Sequence, residues 1–192
     1  MSRFFTEPEN ISDKYIYITD ADDIHHIKKV LRLKPGDTVE ISDGQKWEYE
    51  GAIEEITATE VTLRITDKQS FAREPKTRVT LFQGIPKAGQ MDLIVQKCVE
   101  LGIDSIVPVF MERTVVNDNG KIGKKTERWQ KISDEACKQC RRGIVPAIAD
   151  AVNHSEMMDM LEDFDLVLFP YENETGRTIK DALRNLKDKR KY

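Results

Sequence analysis

VTLFQGIPKAGQMDLIVQKCVELGIDSIVPVF, residues Val79 to Phe110, reads as an apolar strand, a helix and a second apolar strand. Met91, Ile94, Val95, Cys98 and Leu101 recur at helical spacing, while Lys87, Gln90, Gln96, Lys97 and Glu100 fall mostly on other faces. Gly102 follows the last periodic residue, the position where helices commonly stop in left-handed conformation. Ile103 to Phe110 then returns as a buried strand. The unit is βαβ, and such units build parallel sheets through right-handed crossovers.

Upstream the period changes to two. Tyr15 to Thr19, Thr38 to Ser42, Trp47 to Ile56 and Val61 to Ile65 read as short strands, with a turn at Asp43-Gly44. Val61, Leu63 and Ile65 alternate with Thr62, Arg64 and Thr66, which gives one buried and one wet face, as in a small antiparallel barrel. One helix, Ala21 to Leu33, lies inside this region and is introduced by Asp20, Asp22 and Asp23, whose charges suit a helix N-terminus. Its apolar stripe is Ile24, Ile27, Val30 and Leu31, with His26 at the shoulder. His25, Lys28, Lys29 and Arg32 project opposite as a compact basic face. The polar stretch Lys68 to Lys76 separates the two patterns, so the expected domains are 1–72 and 73–192.

Downstream, Glu112 to Lys125 reads as a polar loop, Thr126 to Arg142 as a helix striped by Trp129, Ile132, Ala136 and Cys140, and Gly143 as its end. Ile144 to Ala149 reads as a short extended piece, Ser155 to Leu161 as a helix, Leu166 to Phe169 as a buried strand and Thr178 to Leu186 as a last helix. The fold class is α/β, or α+β overall: an antiparallel β domain followed by a domain with a mainly parallel sheet.

Composition narrows the function classes. The chain has 192 residues, 33% of them charged, and no apolar run approaches the length that spans a bilayer. No secretory pattern follows Met1, and three cysteines suit a reducing cytosol, so the expected location is cytoplasmic. The formal net charge is −4, yet Lys121 to Arg142 is rich in Lys and Arg while His154 to Asp165 holds acids and neither Lys nor Arg.

Cys137 and Cys140 match C-x-x-C, but no second pair or nearby histidine accompanies them, and redox pairs sit at helix starts rather than deep in a helix. Helix packing accounts for them better. His25 and His26 point about 100° apart on a helix and do not share one ligand, so no metal is expected. Phosphate-loop, dinucleotide and hydrolase motifs are absent. What remains is basic: Lys87, Lys97, Arg113, Lys124, Lys125, Arg128, Arg141 and Arg142, for which phosphate contact is the functional reading and ordinary surface charge the plain one.

Arg3-Phe4-Phe5, His25-His26-Ile27 leading to Val30-Leu31-Arg32, Pro35-Gly36-Asp37 and Asp43-Gly44 stand in an order that resembles the ribosomal RNA small-subunit methyltransferase E family. So do Pro86-Lys87, Gln96-Lys97, Glu100-Leu101-Gly102, Pro108, Glu112-Arg113, Arg128-Trp129, Lys131-Ile132, Glu135-Ala136, Gln139 and Val145-Pro146. The resemblance runs over nearly the whole chain. It implies a PUA-like barrel that binds RNA, then a SPOUT methyltransferase domain, homodimeric, with a trefoil knot expected only in a longer chain. It also implies the reaction: methyl transfer from S-adenosylmethionine to N3 of a uridine in small-subunit ribosomal RNA, within the assembled small subunit and without metal. Family members carry a G-P-E-G-G loop and an L-G-x-R-I-L-R-x-E-T segment that build the knot and most of the cofactor pocket. Neither occurs here, so an incomplete cofactor site is expected.

Leu168, Phe169, Pro170, Tyr171 and Glu172 match the place where the family's first knot-forming strand ends near the cofactor. Methylation at uridine N3 requires loss of its proton and stabilisation of the resulting negative charge. No carboxylate or histidine is evidently placed for this, which leaves Arg113 and Arg142 as candidate electrostatic groups. Arg3, His25, Lys28, Lys29 and Arg32 in the first domain, with Lys87, Lys97, Lys124, Lys125, Arg128 and Arg141 in the second, are the candidate RNA contacts. The competing class is a non-catalytic RNA-binding or ribosome-associated module.

Overall fold

The computed structural model describes residues 2–71, 74–87, 89–111, 120–171, 173, 175–176 and 178–187. They fall into two compact units, Met1–His154 and Ser155–Tyr192. None of the described helices is long and apolar enough to cross a membrane.

The first unit holds two sheets. Strands β1 (Arg3–Phe5), β2 (Tyr15–Ile18), β3 (Thr38–Ser42), β4 (Trp47–Ile56) and β5 (Val61–Ser70) form one, in the order β1-β3-β4-β5-β2. The β1–β3 pair is parallel and the other pairs are antiparallel. Alternation works as read: Val39 and Ile41, Tyr49 and Ile53, and Val61 and Leu63 turn inward with Phe4, Ile16 and Ile18. At the Glu50/Gly51 register shift, a Cβ on Gly51 would lie 3.1 Å from Leu63 Cβ, so the bulge brings two backbones together where glycine fits best.

The expected closed barrel is corrected to an open sheet. Its edge strands, β1 and β2, share no ladder among the described residues. The gap is spanned by a side chain, since Thr6 Oγ1 donates to the Tyr17 carbonyl at 3.2 Å.

The expected single helix over Ala21 to Leu33 is also revised. An α-helix α1 (Ala21–His25), capped by Asp20 on the Asp23 amide at 2.9 Å, runs into a π-helical turn over His26–Val30, closed by Leu31 N to His26 O at 2.9 Å. The wider turn shifts the later side chains round the axis. Ile24 and Ile27 stay buried, but Val30, expected on the apolar stripe, is 63% exposed.

The second sheet is the one that Val79 to Phe110 predicts. β6 (Thr80–Gly84), α2 (Gln90–Glu100) and β7 (Ser105–Phe110) form the βαβ unit, with β6 and β7 parallel. Gly102 has φ of +94°, the left-handed stop expected of it. The buried stripe of α2 is Met91, Val95 and Val99, whereas Leu101 sits at the C-cap and points outward, 86% exposed. α3 (Ile122–Cys140) packs Trp129, Ala136 and Cys137 into the second core, and β8 (Ala147–Ile148) and β9 (Val152–Asn153) both join β7 in parallel. Helix α3 starts four residues before the expected Thr126, so Lys124 and Lys125 lie on its first turns rather than in a loop.

Helix α4 (His154–Met160), whose first residue ends the first unit, runs into a single 3-10 turn, and α5 is Ile179–Lys187. Thr178 and Asp181 cap α5 reciprocally: the Asp181 amide donates to Thr178 Oγ1 at 3.2 Å, and the Thr178 amide donates to Asp181 Oδ2 at 3.0 Å. The expected buried strand Leu166 to Phe169 is corrected. This run has no regular structure, and Val167, Leu168 and Phe169 are 46%, 42% and 79% exposed. An apolar run becomes a strand only where a neighbouring ladder takes its backbone groups, and none does so among the described residues.

Candidate functional site

The candidate residues divide by burial. His25 on α1, Lys29 on the π turn and Arg32 just after it are exposed, and Lys28 Nζ donates to the Thr57 carbonyl at 2.9 Å, which ties the basic face to the β4–β5 hairpin. Arg32 has φ of 55°, a left-handed conformation that costs a non-glycine residue about 1 kcal/mol. Lys87, Lys124 and Lys125 are also exposed. Lys97 pairs with Glu100 at 2.8 Å, and Arg128 pairs with Asp92. Among the described residues His25, Lys29, Arg32, Lys87, Lys124 and Lys125 enter no ion pair, which leaves the charge of the lysines and Arg32, and the ring N–H of His25, free for an anionic ligand.

Arg3 and Arg142 are placed differently. The Arg3 side chain is 5% exposed, and every arm of its guanidinium is engaged. Nε meets Glu40 at 3.3 Å, Nη2 meets Glu48 at 2.5 Å, and Nη1 donates to the carbonyls of Arg141 and Arg142 at 3.0 and 3.1 Å. Arg142 is equally buried, paired with Glu74 at 2.8 Å and donating to the Ile103 and Val99 carbonyls at 2.6 and 3.3 Å. Each of these guanidiniums is buried and has most of its N–H groups bonded within the protein, so neither is presented to a phosphate or a uridine oxygen. The expectations of an RNA contact at Arg3 and of a catalytic charge at Arg142 therefore give way to structural roles. Arg113 and Glu172 lie outside the described residues.

Glu74, which sequence reading left in the interdomain linker, is the counter-charge. Burial alone would raise its pKa, but the Arg142 guanidinium and the Ile144 and Gly143 amides more than offset that and hold it below the ordinary carboxylate value. The signal in the sequence was slight: a lone acid in a polar linker. Arg141 ends α3 with φ of 59°, half exposed, 3.8 Å from Glu40.

A groove of about 2010 Å³ runs through the first unit, lined among others by Phe4, Asp22, His26, Leu93, Glu135 and Gln139. Eight Asp and Glu residues line it against four Lys and Arg, so it does not suit a phosphate backbone. Lys138 Nζ reaches Asp23 Oδ1 across it at 2.6 Å.

The C-x-x-C pair packs. Burial above all pushes the Cys137 thiol up to about 12, and its Sγ donates to the Ile144 carbonyl at 3.3 Å. The proton stays on, so this thiol is a poor nucleophile and a poor metal ligand.

Leu168, Phe169, Pro170 and Tyr171 present apolar and aromatic surface to solvent. That surface suits the adenosyl half of S-adenosylmethionine. None of the four supplies a charged side chain for its methionyl half.

Comparison with known proteins bears on both sheets. The model of an RNA methyltransferase PUA domain matches residues 18–66, and that of an RNA methyltransferase domain matches residues 73–191. The chain belongs to the RNA methyltransferase family. Ribosomal RNA small subunit methyltransferase E of Bacillus subtilis is 29% identical over 90% of this chain and 68% of its own length. Among solved structures, one described as a hypothetical protein superposes with a TM-score of 0.81 at 30% identity, covering 88% of this chain and 71% of that one. Ribosomal RNA small subunit methyltransferase E from Neisseria gonorrhoeae, bound to S-adenosyl methionine, superposes with a TM-score of 0.73 at 29% identity, covering 83% and 65%. The chain spans 68%, 60% and 50% of the length of three curated relatives it matches. Membership in the family agrees with the PUA-like first sheet and the parallel second sheet, although the first is open.

Proposed function

We propose that this chain serves the S-adenosylmethionine-dependent methylation of small-subunit ribosomal RNA, at N3 of a uridine, in the cytoplasm. Residues 1–72 hold the RNA, and residues 73–192 belong to the domain that transfers the methyl group. The protein works as a homodimer on the assembled small subunit. The observation that carries this reading is the pair of consecutive family matches, which join an RNA-methyltransferase PUA domain to an RNA methyltransferase domain in one chain.

The exposed Lys29 and Arg32, with His25 as a hydrogen-bond donor and Lys28 behind them, take the RNA backbone. They fix register rather than read sequence. Lys87, Lys124 and Lys125 extend the phosphate contacts on the second sheet's side, and Lys97, Arg128 and Arg141 join them by exchanging partly buried carboxylate partners for phosphate. S-adenosylmethionine supplies the methyl group. Leu168, Phe169, Pro170 and Tyr171 provide apolar surface for it, and Glu172, next in sequence, is a further candidate contact. Arg113 is the candidate for stabilising negative charge on the uridine carbonyl oxygens once the N3 proton has left.

The test is incubation of the protein with assembled small subunits, and separately with bare ribosomal RNA, in the presence of methyl-labelled S-adenosylmethionine, followed by nucleoside mass spectrometry. The expected product is N3-methyluridine from the assembled subunit. RNA binding with no methyl transfer to either substrate would replace the enzyme reading with that of a binding module.

A further inference from the structure

The turn after α3 is held from every side. Arg3, on β1, donates to the carbonyls of Arg141 and Arg142, and Ser42, the last residue of β3 and fully buried, donates to the Gly143 carbonyl at 2.5 Å. Glu74, on the connection between the sheets, accepts from the Gly143 and Ile144 amides at 2.7 and 3.1 Å and from Arg142 at 2.8 Å. Arg142 passes the connection on to the end of α2 through the Val99 and Ile103 carbonyls. Within α3, Ser133 Oγ donates to the Pro146 carbonyl at 2.8 Å. Phe71 closes the space at Gly143, where an added Cβ would lie 2.5 Å from the ring.

Two sheets that met only through apolar side chains could slide, because apolar attraction has no direction. Hydrogen bonds to successive backbone groups of one turn fix an angle as well as a distance. Buried ion pairs contribute little net stability compared with apolar replacements, so a network of this size is better explained by geometry than by strength.

We infer that Arg3, Ser42, Glu74 and Arg142 form a clamp that sets the angle between the RNA-holding sheet and the methyl-transferring sheet, and that they act as positioning residues for methyl transfer. This rests on the functional reading above. RNA is held by one sheet and the chemistry belongs to the other, so a change in the angle displaces the target base from the methyl donor. A misplacement of about 1 Å costs on the order of a hundredfold in rate.

The test uses the full-length protein and three variants: Arg3→Ala, Arg3→Lys and Ser42→Ala. Spin labels at Ala58, on the β4–β5 hairpin tip, and Leu93, exposed on α2, report the distance between the sheets once Cys98 and Cys140 are replaced by serine. Arg3→Ala is expected to broaden the distance distribution and lower kcat on the order of a hundredfold, with KM for RNA within about twofold. Ser42→Ala, which removes one contact, broadens it less, and Arg3→Lys recovers part of both effects. Circular dichroism confirms that each variant is folded. If Arg3→Ala does not fold, Ser42→Ala carries the same two readouts. Folded variants with unchanged distance distributions would overturn the inference, and so would a loss of rate that appears entirely in KM. If the unaltered protein transfers no methyl group, the functional reading fails instead, and the distance measurement alone decides whether the clamp holds the sheets.

Discussion

Two groups of cations in this molecule differ in the company they keep. On and just after the π turn, Lys29 and Arg32 stand exposed with no ion pair among the described residues, beside the exposed His25 of α1. At the turn after α3, Arg3 and Arg142 are buried, each paired with carboxylates and each donating to two backbone carbonyls. An exposed, unpaired cation can release counterions from a nucleic acid, whereas a buried one bonded to its own backbone and carboxylates serves to hold the protein together. Charge in the sequence is therefore not a measure of binding until burial is known.

The contrast predicts unequal costs. Arg142→Ala leaves Glu74 buried without its partner and should lower stability by about 3–5 kcal/mol, while Lys29→Gln should stay within about 0.5 kcal/mol. Urea denaturation of both variants measures this, and equal losses would break the comparison. Gly143→Ala drives a methyl group into the Phe71 ring and should cost about 1–3 kcal/mol in the same experiment.

A pH series sharpens it further. The Glu74 carboxyl titrates below the ordinary carboxylate value in the folded protein, so its contribution is complete at neutral pH and is lost as pH falls through the folded value. Glu74→Gln should therefore be the less stable protein at neutral pH and draw level with the parent in acid. A gap that stays constant down to pH 3 would remove Glu74 from the clamp. The smallest effect is a gain. Arg141 occupies a left-handed helix end that glycine adopts freely, so Arg141→Gly should raise stability by up to about 1 kcal/mol, less what the loose contact with Glu40 contributes.

The fold was legible wherever period and length agreed. Val79 to Phe110 shows its strand-helix-strand unit and Gly102 its left-handed stop, because eleven helical residues and two apolar strands leave little ambiguity. β1 was missed, since three residues carry no period. Val30 was misplaced because a π turn leaves no mark in an apolar pattern read at 3.6 residues per turn. Leu166 to Phe169 shows the opposite failure: apolar composition indicates what could be a strand, and pairing decides whether it is one. The exposure of His25, Lys29 and Arg32 was readable in the sequence, but only His25 lies on α1, since the π turn carries Lys28 and Lys29 and ends before Arg32. The roles of Arg3 and Arg142 were not, because the carboxylates that engage them lie 37, 45 and 68 positions away along the chain. Family resemblance reached further than spacing, tying both domains to one activity before any contact was known.

The measurement that tests the contrast most directly is the salt dependence of RNA affinity for the parent, for Lys29→Gln combined with Arg32→Gln, and for Arg142→Lys. The exposed pair should weaken binding and flatten the slope of log affinity against log salt by about one for each lost phosphate contact, while Arg142→Lys leaves the slope unchanged. An unchanged slope for the exposed pair, or a flattened one for Arg142→Lys, would contradict the division between cations that bind RNA and cations that hold the sheets.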